Sequence, residues 1–125
     1  MNFFEQQLRV ILGNQYAFKS SKPVFAGRAA FIRLSDGRRA RVEFAKGIMA
    51  NCYEKLLVTV INVKDGAIDR LSLDFKDYSD RKGESVPYIW VDSYRDEACW
   101  YGQALTSSEI RRLAEAAHDF ITVYE

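Results

Sequence analysis

The side chains most able to support catalysis are few and far apart. Asp74 and Lys76 lie two positions apart at the end of a predicted strand, so a carboxylate and an ammonium group share one face. With a second carboxylate upstream, the pair resembles the acidic-x-Lys motif of restriction-type nucleases, in which a divalent metal positions water. The same alternation of charge is typical of ordinary cross-strand pairs. We therefore interpret the pair as structural and predict that the protein is not an enzyme.

Other catalytic and metal-binding patterns do not occur in the sequence. The single histidine, His118, falls at the border of the apolar stripe of the last predicted helix, where a partly buried structural imidazole is common. Cys52 and Cys99 are widely spaced, and the sequence contains no CxxC, HExxH or phosphate-binding glycine loop. We expect no catalytic site, no metal site and no cofactor.

Basic side chains concentrate in and beside the first predicted hairpin. Arginines at such a hairpin can contact phosphates, but arginines on an edge strand also prevent aggregation between sheets. The pI near 7.7 is below that of a typical nucleic-acid-binding domain. Nucleic-acid binding by residues 28–46 is therefore the alternative hypothesis for function. Its candidate residues are Arg28, Arg33, Arg38, Arg39, Arg41 and Lys46.

Large aromatic side chains crowd residues 88–101, interspersed with charged ones. Tyr and Trp are frequent at the energetic centres of protein interfaces, although a domain of this size also needs aromatics in its core. Acidic residues of the neighbouring loop 77–84 would complete an acidic and aromatic docking surface. The candidate protein-binding residues are Tyr88, Trp90, Tyr94, Trp100, Tyr101, Asp77 and Asp80.

The spacing of apolar residues predicts a helix at each end of the chain and strands between them. Residues 3–12 form the first helix, capped by Asn2, and a capping box at residues 106–109 opens the last helix, 107–124. Asp-Gly steps at 36–37 and 65–66 predict hairpin turns. A short extended piece is expected around 16–19, and Gly47 to Tyr53 is expected as a loop or single helical turn. The predicted strands are 24–34, 38–46, 55–63, 68–76, 86–93 and 97–102.

This order predicts a single α+β domain, residues 1–125: an N-terminal helix, an antiparallel meander of five or six strands and a C-terminal helix. Both helices are expected on one face of the sheet, where the stripes that contain Leu8 and Leu113 would be buried. The opposite face is the first place to look for function. That face would carry Arg39, Arg41, Arg70, Asp74 and Lys76.

Composition places the chain among ordinary globular proteins, since its 125 residues are 48% hydrophobic, 28% charged and 14% aromatic. The net charge is +1, but residues 1–64 hold 11 basic and 4 acidic side chains whereas residues 65–125 hold 7 and 13. No apolar stretch approaches the roughly 20 residues of a membrane span, and the N-terminus shows no secretory pattern. With only two cysteines, we expect a cytoplasmic protein without a membrane partner.

Several stretches together carry a resemblance. They are the opening Asn-Phe-Phe-Glu-Gln-Gln-Leu-Arg at 2–9, Val-Thr-Val-Ile-Asn at 58–62 with Asp-Gly at 65–66, and Pro-Tyr-Ile-Trp at 87–90 with Trp-Tyr at 100–101. They resemble small uncharacterised proteins carried by conjugative elements, plasmids and phages of Gram-positive gut bacteria. The likeness runs over most of the chain and includes no catalytic motif. It implies an accessory role, such as an anti-CRISPR or anti-restriction inhibitor whose protein partner is a host defence nuclease.

We therefore predict a non-enzymatic binding protein of a mobile element, such as an anti-CRISPR-type inhibitor of host defence that acts by docking on a protein. The alternative is a nucleic-acid-binding accessory protein that uses the basic hairpin 28–46.

Overall fold

The computed structural model describes residues 2–13, 18 and 21–125. The extended piece expected around 16–19 lies, apart from Phe18, outside these residues. Three-residue 3-10 turns occur at Ser35–Gly37 and Gly83–Ser85. The helices and strands are α1 (Phe3–Ile11), β1 (Val24–Ala26), β2 (Ala29–Arg33), β3 (Arg38–Lys46), β4 (Cys52–Asn62), β5 (Gly66–Asp74), α2 (Phe75–Tyr78), β6 (Tyr88–Asp92), β7 (Glu97–Tyr101) and α3 (Ser107–Thr122).

All strands belong to one curled antiparallel sheet with the order β1-β2-β3-β4-β6-β7, and β5 also pairs with β4. One edge of β4 pairs with β3 along its length. The other edge pairs with β6 at Cys52 and Tyr53, and with β5 from Lys55 to Asn62. The sheet therefore forks along this edge of β4. Strand β6 pairs with the first two residues of β4, and β5 pairs with the strand from Lys55 onward. The predicted α+β class and the antiparallel pairing are confirmed.

One predicted strand is divided in the structure and another ends earlier than predicted. The run 24–34 is split into β1 and β2 by a tight turn, in which Gly27 has φ +62° and Ala26 pairs with Ala29. Glycine reaches this conformation at little cost because it has no Cβ. The predicted strand 68–76 ends at Asp74, and the chain then forms the short helix α2.

Strand β4 begins earlier than predicted, at Cys52, inside the stretch 47–53 that was expected as a loop. A register shift follows, because Lys46 of β3 pairs with Tyr53 while Ala45 pairs with Lys55. This irregularity leaves Glu54 without a partner position and keeps Cys52 on the outer side of the sheet. Such bulges are hard to recognise from sequence alternation because they break it.

Both terminal helices pack on one face of the sheet, as predicted. The Asn2 side chain caps α1 by accepting a hydrogen bond from the Glu5 backbone N–H at 2.8 Å. Helix α1 buries Phe4 and Leu8, and α3 buries its own apolar stripe of Leu113, Ala117 and Ile121. They meet the inward residues of the strands, which define the inner face. These include Ala30, Ile32, Val42, Leu56, Val58, Leu73 and Ile89.

A buried carboxylate joins α3 to the loop that follows α2. Glu109, with no exposed surface, accepts hydrogen bonds from the Thr106 backbone at 2.8 Å and from Arg81 Nη2 at 2.6 Å. It also accepts from the Ser79 hydroxyl and from the Asp80 backbone N–H. Burial alone would raise the pKa of Glu109, but these donors outweigh burial and hold its pKa at about 2. The capping box predicted for α3 is therefore also a tertiary anchor.

Candidate functional site

The outer face of the β6–β7 hairpin carries a cluster of aromatic side chains. Antiparallel pairing sets Tyr88 opposite Tyr101 and Trp90 opposite Cys99. The rings of Tyr88 and Tyr101 stack, with centroids 4.9 Å apart and planes inclined by 14°. Since alternate residues of a strand point to opposite faces, these side chains point away from the core that Ile89 enters.

Exposed apolar side chains extend this cluster onto the loop before β4. Trp90 is 39% exposed and Tyr101 is 61% exposed, while Met49 is 65% exposed. Ile48 is fully exposed and lines the same cavity as Tyr88. The Met49 carbonyl accepts from the Cys52 backbone N–H, and Cys52 is the residue opposite Trp90, so the loop lies beside the hairpin. We name Ile48, Met49, Tyr88, Trp90 and Tyr101 the aromatic patch.

The two thiols of this region are separated by Trp90. Cys52 and Cys99 each pair with Trp90, from the strands on its two sides. Strands in a sheet are about 4.8 Å apart, which places the two Cα atoms about 10 Å apart, beyond the ~7 Å limit for a disulfide. Both cysteines are free. Burial, and to a lesser extent Glu54, raises the pKa of Cys52, so its thiol is protonated at neutral pH.

The structure separates the predicted protein-binding residues into different environments. Trp100 faces the core instead of the outer surface, because its position on β7 alternates with Tyr101. Its ring contacts Phe75, with centroids 5.9 Å apart, and its indole N–H donates to Gln7 at 3.2 Å. Trp100 is therefore half-buried against the core and lies apart from the exposed side chains of the outer face, and its part in partner binding stays a prediction.

The remaining members of that prediction, Tyr94, Asp77 and Asp80, lie outside strands β6 and β7. Tyr94 is 99% exposed in the β6–β7 turn. Asp77 is exposed in α2. Asp80 forms an ion pair with Arg112, whose Nη2 lies 2.9 Å from a carboxylate oxygen, so its charge is already compensated within the chain. The patch thus depends on Tyr88, Trp90 and Tyr101 and gains Ile48 and Met49, which had no signal in the sequence beyond their apolar type.

A cavity of about 560 Å³ lies at the fork between β5 and β6. Asp74 and Lys76 both line it, but they do not share a strand, so the geometry assumed for the nuclease motif was wrong. Within the described ranges, no group of three or more His, Cys, Asp or Glu side chains is arranged to hold a metal ion. The charged lining contains equal numbers of acids and lysines: Lys46, Glu54, Lys55, Asp74, Lys76 and Glu84.

The non-enzymatic hypothesis makes a direct prediction for this cavity. The double variant Asp74→Ala/Lys76→Ala should behave like the wild type when plasmid DNA and RNA are incubated with each protein and Mg²⁺ or Mn²⁺. We expect neither protein to shorten either substrate on gels. Metal-dependent cleavage by the wild type that the double variant loses would show that the pair is catalytic.

The basic residues of the first hairpin also divide into groups. Arg33, Arg39 and Arg41 lie on the outer face, where Arg33 is directly opposite Arg39. Arg28 lies in the β1–β2 turn, 3.3 Å from an Asp96 carboxylate oxygen and over the ring of Phe4. It therefore fastens this turn to α1 and to the β6–β7 turn.

Two further members of the basic set lie away from the outer-face arginines. Arg38 lies 3.5 Å from an Asp36 carboxylate oxygen and over the ring of Tyr124. Lys46 is at the fork cavity and over the ring of Tyr53. The six basic residues therefore do not form one surface, and only the outer-face group is placed to bind a common ligand.

A second cavity, of about 220 Å³, adjoins the outer-face arginines. We name it the basic cleft. Sequence analysis had identified Arg33 and Arg39 but not the other lining residues, since Lys22 and Ser21 precede a proline in a segment without regular structure. The cleft is lined by Ser21, Lys22, Val24, Phe31, Arg33 and Arg39.

His118 lies on α3, half-buried, with its ring centroid 5.4 Å from that of Phe18. Its Nδ1 atom is 3.8 Å from an Asp119 carboxylate oxygen. This placement agrees with the partly buried imidazole predicted from the sequence. His118 is not among the residues that line the fork cavity or the basic cleft.

No helix in the described part of the chain is both long and apolar enough to cross a membrane. Comparison of the chain with protein-family models, with curated proteins and with solved structures finds no match.

Proposed function

We propose that the protein is a non-enzymatic binding protein that docks on a protein partner through the aromatic patch. The observation that supports this most directly is the clustering of exposed apolar side chains at Trp90, Tyr101, Ile48 and Met49. Contiguous exposed apolar surface is typical of protein interaction sites. Trp and Tyr residues contribute strongly to binding at such sites because they bury a large area with few rotatable bonds.

The charges beside the patch favour a partner with basic groups at the rim of its binding site. On the outer face, Asp92 lies directly opposite Glu97, two register steps beyond the Trp90–Cys99 pair. Like charges at directly opposed positions repel each other. A partner with a basic rim around an apolar pocket would relieve this repulsion while it received the rings. Asp92 is held in place because it accepts from the Tyr94 and Arg95 backbone N–H groups.

The setting of this proposal follows from the resemblance to mobile-element proteins. It makes a host defence nuclease the expected partner and anti-CRISPR-type inhibition the expected effect. The free thiols of Cys52 and Cys99 support action in a reducing compartment such as the cytoplasm.

The docking proposal predicts that Trp90→Ala weakens partner binding by about 30-fold or more, the size expected for a central interface residue. Tagged wild type is incubated with a nuclease-treated lysate of a Gram-positive gut bacterium. The captured protein is identified by mass spectrometry, purified, and titrated calorimetrically with each variant. Tyr101→Ala should also weaken binding.

Val63→Ala is the matched control, because Val63 is an exposed apolar residue in the β4–β5 turn, away from the patch. It should bind like the wild type. A captured partner with equal affinity for wild type, Trp90→Ala and Tyr101→Ala would contradict the proposal. So would the absence of any protein retained above the level of an unrelated bait.

A further inference from the structure

We propose that the basic cleft binds single-stranded nucleic acid, in which Arg33 and Arg39 contact the phosphates and a base stacks on the ring of Phe31. This site lies on β2 and β3, apart from the aromatic patch on β6 and β7, and its argument is independent of the docking proposal. The ligand is recognised by the combination of an anionic backbone and a flat aromatic ring.

The first observation is the direct opposition of two cations. Arg33 on β2 pairs in register with Arg39 on β3, so both guanidinium groups project from neighbouring positions on the outer face. Both residues are exposed, and neither forms an ion pair with any residue that the structure describes. Directly opposed like charges destabilise a strand pair. A phosphate bound between them would convert this repulsion into two charge-assisted contacts.

The second observation is the shape and charge of the cleft. Lys22 adds a third cation to its wall, and none of the described residues that line the cleft is acidic. The wall is held against β2, since the Ser21 hydroxyl donates to the Arg33 carbonyl at 3.0 Å and accepts from the Arg33 N–H at 2.9 Å. At about 220 Å³ the cleft is smaller than the roughly 300–1,000 Å³ of sites for whole drug-sized ligands. It suits one nucleotide unit of a longer strand.

The third observation is an aromatic surface inside this basic site. The half-buried Phe31 ring lines the cleft, and the Arg39 guanidinium carbon lies 5.5 Å from its centroid. Aromatic rings and guanidinium planes are the surfaces on which unpaired bases stack. A base within a duplex is already stacked and paired, so this contact selects a single strand.

The same face offers further contacts along a bound strand. Arg41 pairs with Thr59, and Thr59 pairs with Arg70, so the two arginines flank β4 about 10 Å apart. Arg41 is 2.9 Å from a Glu43 carboxylate oxygen, whereas Arg70 forms no ion pair in the described part of the chain. Arg70 is therefore the next phosphate contact expected beyond the cleft.

Fluorescence anisotropy with labelled single-stranded oligo-dT and oligo-U, measured over a salt series, tests the proposal. For wild type, affinity should fall as salt rises. Arg33→Ala/Arg39→Ala should weaken binding at least tenfold and flatten the log–log salt slope by about 1.4, or about 0.7 per lost phosphate contact. Phe31→Leu keeps an apolar side chain and should weaken binding about fivefold or more without changing the slope, because it removes stacking only.

The matched control is Arg95→Ala/Arg111→Ala, which removes the same charge from exposed positions away from the cleft. It should bind like the wild type. Urea unfolding monitors folding, and removal of the opposed arginines should leave the midpoint unchanged or raise it. Competition with mononucleotide and with inorganic phosphate separates recognition of a strand from capture of a free anion, and a strand site should be displaced weakly by either.

Four results would overturn the proposal: no binding by wild type, equal weakening by the control pair, duplex DNA bound as tightly as single strands, or full displacement by phosphate. Trp90→Ala should retain wild-type affinity for the oligonucleotides. A result that contradicts nucleic-acid binding by the basic cleft would therefore not contradict docking through the aromatic patch. Likewise, a result that contradicts docking would not contradict binding by the cleft.

Discussion

Glu109→Ala should lower the free energy of unfolding by about 3–5 kcal/mol at neutral pH, the cost typical of breaking a buried ion pair by removing one partner. The variant leaves the Ser79 hydroxyl and the Thr106 N–H without their acceptor. It also leaves the Arg81 guanidinium, 2.6 Å from the carboxylate in the wild type, without its counter-charge. Urea unfolding followed by circular dichroism measures the loss. Glu115→Ala, at an exposed position of the same helix, should change stability by less than about 0.5 kcal/mol.

The same carboxylate predicts a pH dependence. Burial opposes ionisation of Glu109, but its hydrogen-bond donors hold its folded pKa at about 2, below that of an unfolded glutamate. A depressed folded pKa contributes stability that is complete above the unfolded pKa and is lost as pH falls toward the folded one. Wild type should therefore lose about 3 kcal/mol from this group between about pH 5 and pH 2.

Glu109→Gln isolates this contribution because it cannot titrate. Other carboxylates change stability over the same window, including Asp69, whose pKa is lowered by a hydrogen bond from Tyr124 and by one from the Arg70 backbone. The comparison is therefore between the pH slopes of the two proteins and not between their absolute stabilities. The wild type should have the steeper slope. Parallel stability curves from pH 5 to pH 2 would contradict the assignment of the low pKa to Glu109.

Leu113→Ala should cost about 2–5 kcal/mol, as expected for truncation of a fully buried leucine. Leu113 has no exposed surface on the face of α3 that packs against the sheet. The variant loses the transfer free energy of the removed atoms and leaves a cavity that the curled sheet cannot fill without moving strands. Urea unfolding at neutral pH provides the measurement.

Val10→Ala is the matched control, because Val10 is an apolar residue of the other helix with 57% of its surface exposed. It should shift stability by less than about 0.5 kcal/mol. A loss below that value for Leu113→Ala would contradict the packing of α3 on the sheet. An equal loss for both variants would contradict it as well, because the exposed Val10 would then contribute as much to stability as the buried Leu113.

Sequence signals predicted those helices and strands well that depend on contacts between residues close together in the chain. The Asn2 cap and the box at Thr106 and Glu109 each depend on contacts three residues apart. The alternation of β3 identified Val42 and Phe44 as inward residues. Gly27 is also a local signal for the turn between β1 and β2, since a glycine inside a long extended run often marks a bend or turn.

The candidate sites were predictable only in part. Trp90 and Trp100 have the same residue type and lie in neighbouring strands, yet one is on the outer face and the other contacts the core. Sequence alternation separates adjacent residues within a strand, but it does not state which face a helix will cover. The pairing of β6 with β4 at Tyr53 determines which face of β6 is turned toward the helices. This pairing joins residues more than 30 positions apart in the sequence.

The sequence by itself determined the α+β class, both helices, the antiparallel hairpins and the inward residues of β3, because each depends on neighbouring residues and on their periodicity. Only the tertiary structure decided that the sheet forks at β4. It also decided that Arg28, Arg38 and Lys46 lie apart from the outer-face arginines, and that Lys22 lines the cleft beside Arg33 and Arg39. The physical reason is that register, bulges and curl are set by the packing of the whole core. A shift of one residue in pairing moves every side chain of a strand to the other face.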